Sequence, residues 1–474
     1  MGRSRSWALP GLLGPDLYAA MVAVKDAFDP RRLLGPGTII DGPAVAESLR
    51  YGADYRGDGA WAPRLSYAAE GGFDLAVEKC FGAGLCKKLT GTMCPPAAAS
   101  RNEAYTTRAR ANALQGVLCG AVPLAAIDAH EFREVLGTCV ACKACKTECP
   151  AGVDMAALKT EWLAELRARE GVPALARGIG EFRRLAALAS PAAPLVNALA
   201  RTRLARLVTD RAGVAPQRPL PAFSRRPLTR RLAATPRAGA ALFVDCFVQY
   251  QEPQVGEALA DLLRAAGVEL ALVDAGCCGR TALSSGQIGK ARAAAATALA
   301  ALHERAAGGC ELLFIEPSCL SMVRDDWRRL LPRDPRVAEV AAATRPALAL
   351  VADQAAAGRL HFRAGGRALL HTHCHEKALS FAAATDRALA AVPDLEVEVL
   401  DAGCCGMSGV FGYEAEHYEL SVAMAERVLL PAVRGAGPET AVLATGTSCR
   451  SQIHDLAGRR AVHPLEFLAA RLEH

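Results

Sequence analysis

Asp274-Ala275-Gly276-Cys277-Cys278-Gly279 recurs as Asp401-Ala402-Gly403-Cys404-Cys405-Gly406, 127 residues further along the chain. A cysteine on each side recurs with it: Cys246 is matched by Cys374 at an offset of 128, and Cys319 by Cys449 at an offset of 130. Three features in register imply a duplicated unit. Each copy alternates short β-like runs with helical ones. In the first copy strands are expected at Ala241 to Asp245, Glu269 to Asp274 and Glu311 to Glu316, with helices opening at Pro253 and near Gln287. In the second they are expected at Ala368 to His373, Leu395 to Leu400 and Thr440 to Ala444. Every repeated cysteine follows a strand end. Right-handed crossovers between parallel strands carry such positions to one edge of the sheet, where open α/β folds bind their ligands.

Upstream, the pattern from 56 to 200 is helical and holds eight cysteines, seven of them in two groups. Asp154 can cap a helix whose Met155, Leu158, Trp162 and Leu166 share a face, with Gly171 as its stop. Cys139-x2-Cys142-x2-Cys145-x3-Cys149-Pro150 has the spacing of a bacterial ferredoxin run. Two-residue gaps let three thiolates wrap one cubane, while the fourth turns away to a neighbouring cluster. Zinc ribbons instead separate two ligand pairs by a dozen or more residues. A second run, Cys80-x5-Cys86-x7-Cys94-Pro95, is the same motif with Ala83 in the place of one thiolate. Crossed ligation then assigns Cys94, Cys139, Cys142 and Cys145 to one [4Fe-4S] cluster. Cys80, Cys86 and Cys149 are left for a second cluster, of [3Fe-4S] type or of [4Fe-4S] type with another fourth ligand. Cys119 could fill that gap, although a free buried cysteine is the commoner role; Cys310 reads as buried filler.

The repeats add Cys246, Cys277, Cys278 and Cys319 in one half and Cys374, Cys404, Cys405 and Cys449 in the other. Four sulfurs from three strand ends form a soft cage that suits further Fe–S clusters or zinc. His371, His373 and His375 bracket Cys374. A hydrogen-bonded structural role is the expectation for each, with ligation or proton transfer kept open for His373 and His375.

The 474 residues carry a net charge of +6, 51% hydrophobic and 22% charged side chains and 17 cysteines, enough chain for several cores without disulfides. So small and mixed an excess of positive charge does not argue for nucleic acid. No stretch is long and apolar enough to span a membrane, and the first residues lack a secretory h-region, so a cytoplasmic, reducing setting is expected, with the Pro-interrupted stretch near Leu185 as a candidate peripheral contact at the inner face of a membrane. In that setting cysteines read as metal ligands.

Met93-Cys94-Pro95, Arg101-Asn102-Glu103, Thr107-Arg108-Ala109-Arg110-Ala111-Asn112, the Cys139 to Pro150 run, Glu316-Pro317-Ser318-Cys319 and Gly446-Thr447-Ser448-Cys449-Arg450-Ser451-Gln452 together resemble one family. It is the bacterial FAD-linked D-2-hydroxyacid dehydrogenases fused to an Fe–S oxidoreductase, and the resemblance covers nearly the whole chain. Phe28 to Gly37 looks like the closing segment of a flavin-linked oxidase domain, whose FAD-binding body is then expected upstream or on a partner subunit; no FAD-binding residue is assigned here. The repeats are similar to the cysteine-rich CCG domains of heterodisulfide reductase B subunits and glycolate oxidase iron–sulfur subunits. There the motif ends in Cys-x-x-Cys and can hold a noncubane cluster, whereas this chain has Met322 after Cys319 and Gln452 after Cys449.

The fold class expected is multi-domain α+β, a helical two-cluster ferredoxin-like domain followed by duplicated α/β CCG domains with parallel strands. Its parts are residues 1–55, a remnant of the oxidase segment; 56–200, the two-cluster domain; 201–238, a solvated Arg/Pro-rich linker; and 239–355 and 356–474, the CCG domains. The resemblance implies an oxidoreductase component, not active alone, that carries electrons from flavin to a quinone or another redox acceptor in a D-lactate, glycolate or D-2-hydroxyglutarate type dehydrogenase. A disulfide reductase of heterodisulfide reductase type and a zinc-stabilised scaffold without redox function are the alternatives. Catalytic residues are left unassigned.

Overall fold

The computed structural model describes residues 2–473 apart from 48, 50, 53, 54, 56–60, 234, 236 and 237. Among these residues seven strands form two parallel sheets. The first sheet has the order β2-β1-β3-β4, with β1 Ala240–Phe243, β2 Leu270–Val273, β3 Glu311–Phe314 and β4 Thr344–Pro346. The second has the order β6-β5-β7, with β5 Arg367–His371, β6 Glu396–Val399 and β7 Thr440–Ala444. Central β1 and β5 are flanked alike: Leu242 lies opposite Leu272 and Leu313, and Leu370 opposite Val399 and Leu443. Strand β4 has no signal in the sequence. It is three residues long and ends in proline, which a sheet tolerates at its edge.

Most strands end sooner than their apolar runs suggest, because the chain turns at once into a short helix. The Asp245 carboxylate accepts from the amides of Phe247 and Val248 and caps Cys246–Tyr250. His373 caps Cys374–Ala378 in the second copy through its ring nitrogen, which accepts from the His375 amide at 3.1 Å. Both sheets contribute to a single hydrophobic cluster in which Leu242, Val244 and Leu313 pack with Leu370, Leu443 and Leu465. Burial on both faces explains why β1, β3, β5 and β7 read as apolar runs, while edge strand β6, Glu-Val-Glu-Val, is largely exposed and alternates.

The helical region contains Met155–Glu170, whose Asp154 accepts from the Ala157 amide at 3.1 Å and whose Gly171 follows as the stop. Residues Met1–Trp61 with Gly116–Val122 form one compact unit, and the rest of the chain the other. In the first unit the leader helix runs Leu9–Phe28, longer than its apolar spacing suggests, with a break at Gly14.

The stretch 201–238 is not the uniformly solvated linker expected. It contains helix Arg203–Arg211, and Arg218 is buried, donating to the Gly412 carbonyl at 2.8 Å and to Ser421 Oγ at 3.2 Å. Arg-rich composition alone does not distinguish a solvated guanidinium from one that satisfies buried carbonyls. Among the described residues no helix is long and apolar enough to cross a membrane.

Candidate metal centres

Cys94, Cys139, Cys142 and Cys145 line one small cavity together with Thr107, Arg110 and Met155. Three residues in its two loops hold a left-handed backbone without being glycine: Cys94 at φ 54°, Ala141 at 47° and Lys143 at 62°. Each such turn costs about 1 kcal/mol or more and persists where surrounding contacts over-determine it. Here those contacts are visible. The Thr107 amide and hydroxyl both lie 3.1 Å from Cys94 Sγ. Lys143 is buried against Asp325 and Asp326 at 2.7 Å each. Arg110, also buried, donates to the Val135 carbonyl at 2.8 Å and to Thr138 Oγ1 at 2.9 Å, and sets a fixed positive charge beside the sulfurs. Burial pushes the Cys145 thiol up to about 12, so anything that takes this sulfur as thiolate must displace a firmly held proton.

Cys80, Cys86 and Cys149 line a second cavity with Phe81, Ala83 and Arg108. Ala83 stands on its wall, where it offers no donor. The two cavities adjoin through Cys86 and Cys94, and a hydrogen bond from the Cys94 thiol holds Cys86 down to about 6. Cys119 does not line the second cavity; its thiol bonds the Gly116 carbonyl at 3.5 Å and is half-buried, not filler in a core. Cys310 is likewise half-buried, bonded to the Ala238 carbonyl at 2.7 Å.

A third cavity, of about 90 Å³, is lined by Cys246, Cys277, Cys278 and Cys319 of the first repeat and by Cys374, Cys404 and Cys405 of the second. Cys278 and Cys319 sulfurs lie 3.2 Å apart. Cys449 stands behind this wall beside Cys405. The sequence expectation of two separate four-sulfur cages misses that both sheet edges face one space. The glycine closing each motif has a physical reason. Gly279 and Gly406 have φ of 94° and 93°, and a Cβ would stand 2.8 Å from the Ala291 carbonyl oxygen or 2.3 Å from that of Ser421. Their amides meanwhile point to Cys277 Sγ and Cys404 Sγ, each at 3.4 Å.

Where a Cys-x-x-Cys ending would place a further sulfur, Met322 is fully buried and Gln452 donates to the Cys405 carbonyl at 2.9 Å. Those positions pack and brace the motif loop.

The cavity also touches the first centre. Val140 and Ala141, the two residues between Cys139 and Cys142, form part of its wall. The Ala141 carbonyl is held by His375 Nε2 at 3.1 Å, the His375 Nδ1 pairs with Ser321 Oγ at 2.9 Å, and Ser408 Oγ donates to the Val140 carbonyl. One imidazole thus ties both repeats to the cysteine loop. His371 differs from its two neighbours: it is 1% exposed, neither ring nitrogen meets a nitrogen or oxygen partner, and its polar neighbour is the Cys405 sulfur. Its signal in the sequence is weak, since the period-two argument extends the strand to 375 when it ends at His371.

Parallel sheets with sulfur-bearing edges, beside a helical domain with two further groups of cysteines, define a protein with several sulfur-rich metal-binding centres. Comparison with known proteins agrees: residues 76–153 match the 4Fe-4S dicluster domain family, and residues 240–324 and 368–454 each match the cysteine-rich domain family, CCG. D-2-hydroxyglutarate dehydrogenase of Escherichia coli (strain K12) is 25% identical over 511 aligned positions, covering 97% of this chain and 50% of that protein. The enzyme of the same name from Pseudomonas putida is 26% identical, covering 98% and 50%. One subunit of the anaerobic glycerol-3-phosphate dehydrogenase of Escherichia coli (strain K12) is 29% identical over 300 positions, covering 61% and 74%. The chain thus carries one 4Fe-4S dicluster domain match and two CCG domain matches, and its relatives are Fe–S oxidoreductases. It spans about half the length of the D-2-hydroxyglutarate dehydrogenases it matches.

Proposed function

We propose that this chain is the iron–sulfur electron-transfer part of a FAD-linked 2-hydroxyacid dehydrogenase of the D-lactate, glycolate or D-2-hydroxyglutarate type. The flavin belongs to another domain or subunit, and the acceptor is a quinone or another redox partner. Cys94, Cys139, Cys142 and Cys145 would hold a [4Fe-4S] cluster, and Cys80, Cys86 and Cys149 a second cluster of [4Fe-4S] or [3Fe-4S] type. Such clusters take up and release single electrons at potentials set by burial and by hydrogen bonds to sulfur. The names of the relatives support the reading, two being dehydrogenases and one a part of a dehydrogenase.

The observation that carries it is the position of Val140 and Ala141, which makes the loop of one sulfur centre a wall of the cavity between the repeats. The protein's own task follows from its side chains. Arg110 and Thr107 supply positive charge and an N–H beside the first centre, buried apolar residues keep water from it, and His375 fixes the loop against both repeats. The test is anaerobic reconstitution with iron and sulfide, followed by mixing with a reduced flavin. Clusters that are reduced by flavin and reoxidised by a quinone analogue are expected. Protein that takes up neither iron nor acid-labile sulfide overturns the reading.

A peripheral membrane contact fits the same role. Helix Arg203–Arg211 exposes Leu204, Leu207 and Val208 at 71%, 53% and 61%, with Arg203, Arg206 and Arg211 beside them, the composition of a helix that lies on an anionic lipid surface. Co-sedimentation with anionic vesicles is expected, and is expected to be lost in the Leu204→Glu, Leu207→Glu double variant; equal sedimentation of the two proteins would remove the membrane from the scheme.

A further inference from the structure

We infer that the second repeat binds a single divalent transition ion of the zinc class through the imidazole of His371 and the sulfurs of Cys405 and Cys449, a mixed nitrogen–sulfur site that the first repeat lacks. The inference goes beyond the electron-transfer reading and does not depend on it.

The first ground is an unsatisfied hydrogen-bonding capacity. His371 is the last residue of β5, 1% exposed, and neither ring nitrogen meets a nitrogen or oxygen partner. A buried imidazole with only sulfur for a polar neighbour calls for an explanation. His373 and His375 have theirs, in a helix cap and in the contact with Ala141. What His371 has beside it is sulfur.

The second ground is spacing. One ring nitrogen of His371, Cys405 Sγ and Cys449 Sγ all lie within 4.8 Å of one another. A tetrahedral ion with bonds of about 2.0–2.3 Å brings its donors to roughly 3–4 Å from each other, so small side-chain adjustments close this trio on one metal atom. A cubane, with four irons between its ligands, spreads them wider. Among the described residues, neither the Cys94, Cys139, Cys142, Cys145 set nor the first repeat contains a trio this compact. Cys404 adjoins Cys405 and Cys374 adjoins Cys404, so sulfur is at hand for the fourth position. Thiolate and imidazole donors select zinc or iron over magnesium or calcium.

The third ground is internal to the duplication. At the offset of 128 that pairs Cys374 with Cys246, His371 corresponds to Phe243. That ring is fully buried and stacked on Phe314 at 5.0 Å. The same place in the same fold is filled well by hydrocarbon, so packing does not require an imidazole there.

The experiment uses the full chain purified anaerobically. Zinc content is measured beside iron and acid-labile sulfide, and the zinc K-edge X-ray absorption reports the ligand atoms. About one zinc per chain with nitrogen and sulfur in its first shell is expected. His371→Phe, which copies the first repeat, should lose that zinc while iron and the EPR signals of the reduced dicluster domain stay as in the wild type. His371→Cys should retain zinc with an all-sulfur shell, which keeps the test decisive should the phenylalanine variant fail to fold. A wild-type shell of sulfur alone, a second repeat whose metal is iron with sulfide, or unchanged zinc in His371→Phe each overturns the inference. Absence of the dicluster EPR signals would instead sink the electron-transfer reading and leave the zinc result standing.

Discussion

Cys94 and Cys149 each sit at the end of one cysteine run and line the cavity of the other. The proline that follows each of them has no N–H to offer a helix and turns the chain away from its own run. If these cavities hold clusters, Cys149→Ser should damage the same EPR signal as Cys80→Ser and Cys86→Ser, and spare the one lost in Cys139→Ser. Cys94→Ser should do the reverse. Grouping of the variants by their position in the sequence instead would show that the ligands are not exchanged. Buried thiols also set a direction with pH. Cys145 holds its proton to about 12 in the metal-free chain, so metal uptake releases protons, and loading at fixed free iron should fall as pH is lowered. Iron bound per chain at pH 6 and pH 8 measures it.

Among elements, the turn that closes each sheet edge is the least tolerant of change. Gly406 combines a φ of 93° with a Cβ position 2.3 Å from the Ser421 carbonyl oxygen, a backbone atom of helix Tyr418–Glu426 that cannot swing aside. Gly406→Ala is expected to destabilise the chain by roughly 3 kcal/mol or more, read as a lower denaturation midpoint with unchanged slope. Gly403→Ala, in the same motif but with its nearest neighbours at 3.5 Å or more and no left-handed backbone, is the control and should be mild. The helix starts were readable because their chemistry is local: Asp154 reaches an amide three residues on, and Pro253 opens its helix where an N–H is not needed. Strand β4 was not readable, since Thr344–Pro346 forms only by lying beside β3.

Across the whole molecule, charged pairs hold the repeats to each other and to the cysteine loops. Glu252 of the first repeat pairs with Arg450 of the second and accepts from Thr447 Oγ1 at 2.9 Å. Burial alone would raise the Glu252 carboxyl, but the Arg450 guanidinium outweighs it and holds the carboxyl below its usual 4.5. The folded state therefore binds the proton less tightly than the unfolded chain. That contribution is present above about pH 4.5 and is lost as pH falls through the depressed value. Glu252→Gln should cost about 1–3 kcal/mol at pH 7, discounted for a side chain that is partly exposed, and the gap from wild type should narrow as pH falls below the ordinary carboxylate range. Denaturant midpoints of the two proteins at pH 7 and pH 3.5 test the sign.

The sequence by itself determined the duplication, the parallel strands, the placing of every repeated cysteine after a strand and the spacing of the ferredoxin-like run, because each is a periodicity or a contact within a few residues. Tertiary structure decided what those pieces face. The shared cavity exists because Leu242 and Leu313 of one sheet pack in one core with Leu370 and Leu443 of the other, which brings two sulfur-bearing edges together. Only packing buries Arg218 against Gly412, couples Lys143 to Asp326 across 183 residues, and leaves His371 with two sulfurs rather than nitrogen or oxygen partners beside its ring. Such contacts join positions far apart along the chain, and no local pattern of side chains encodes which distant partner will be met.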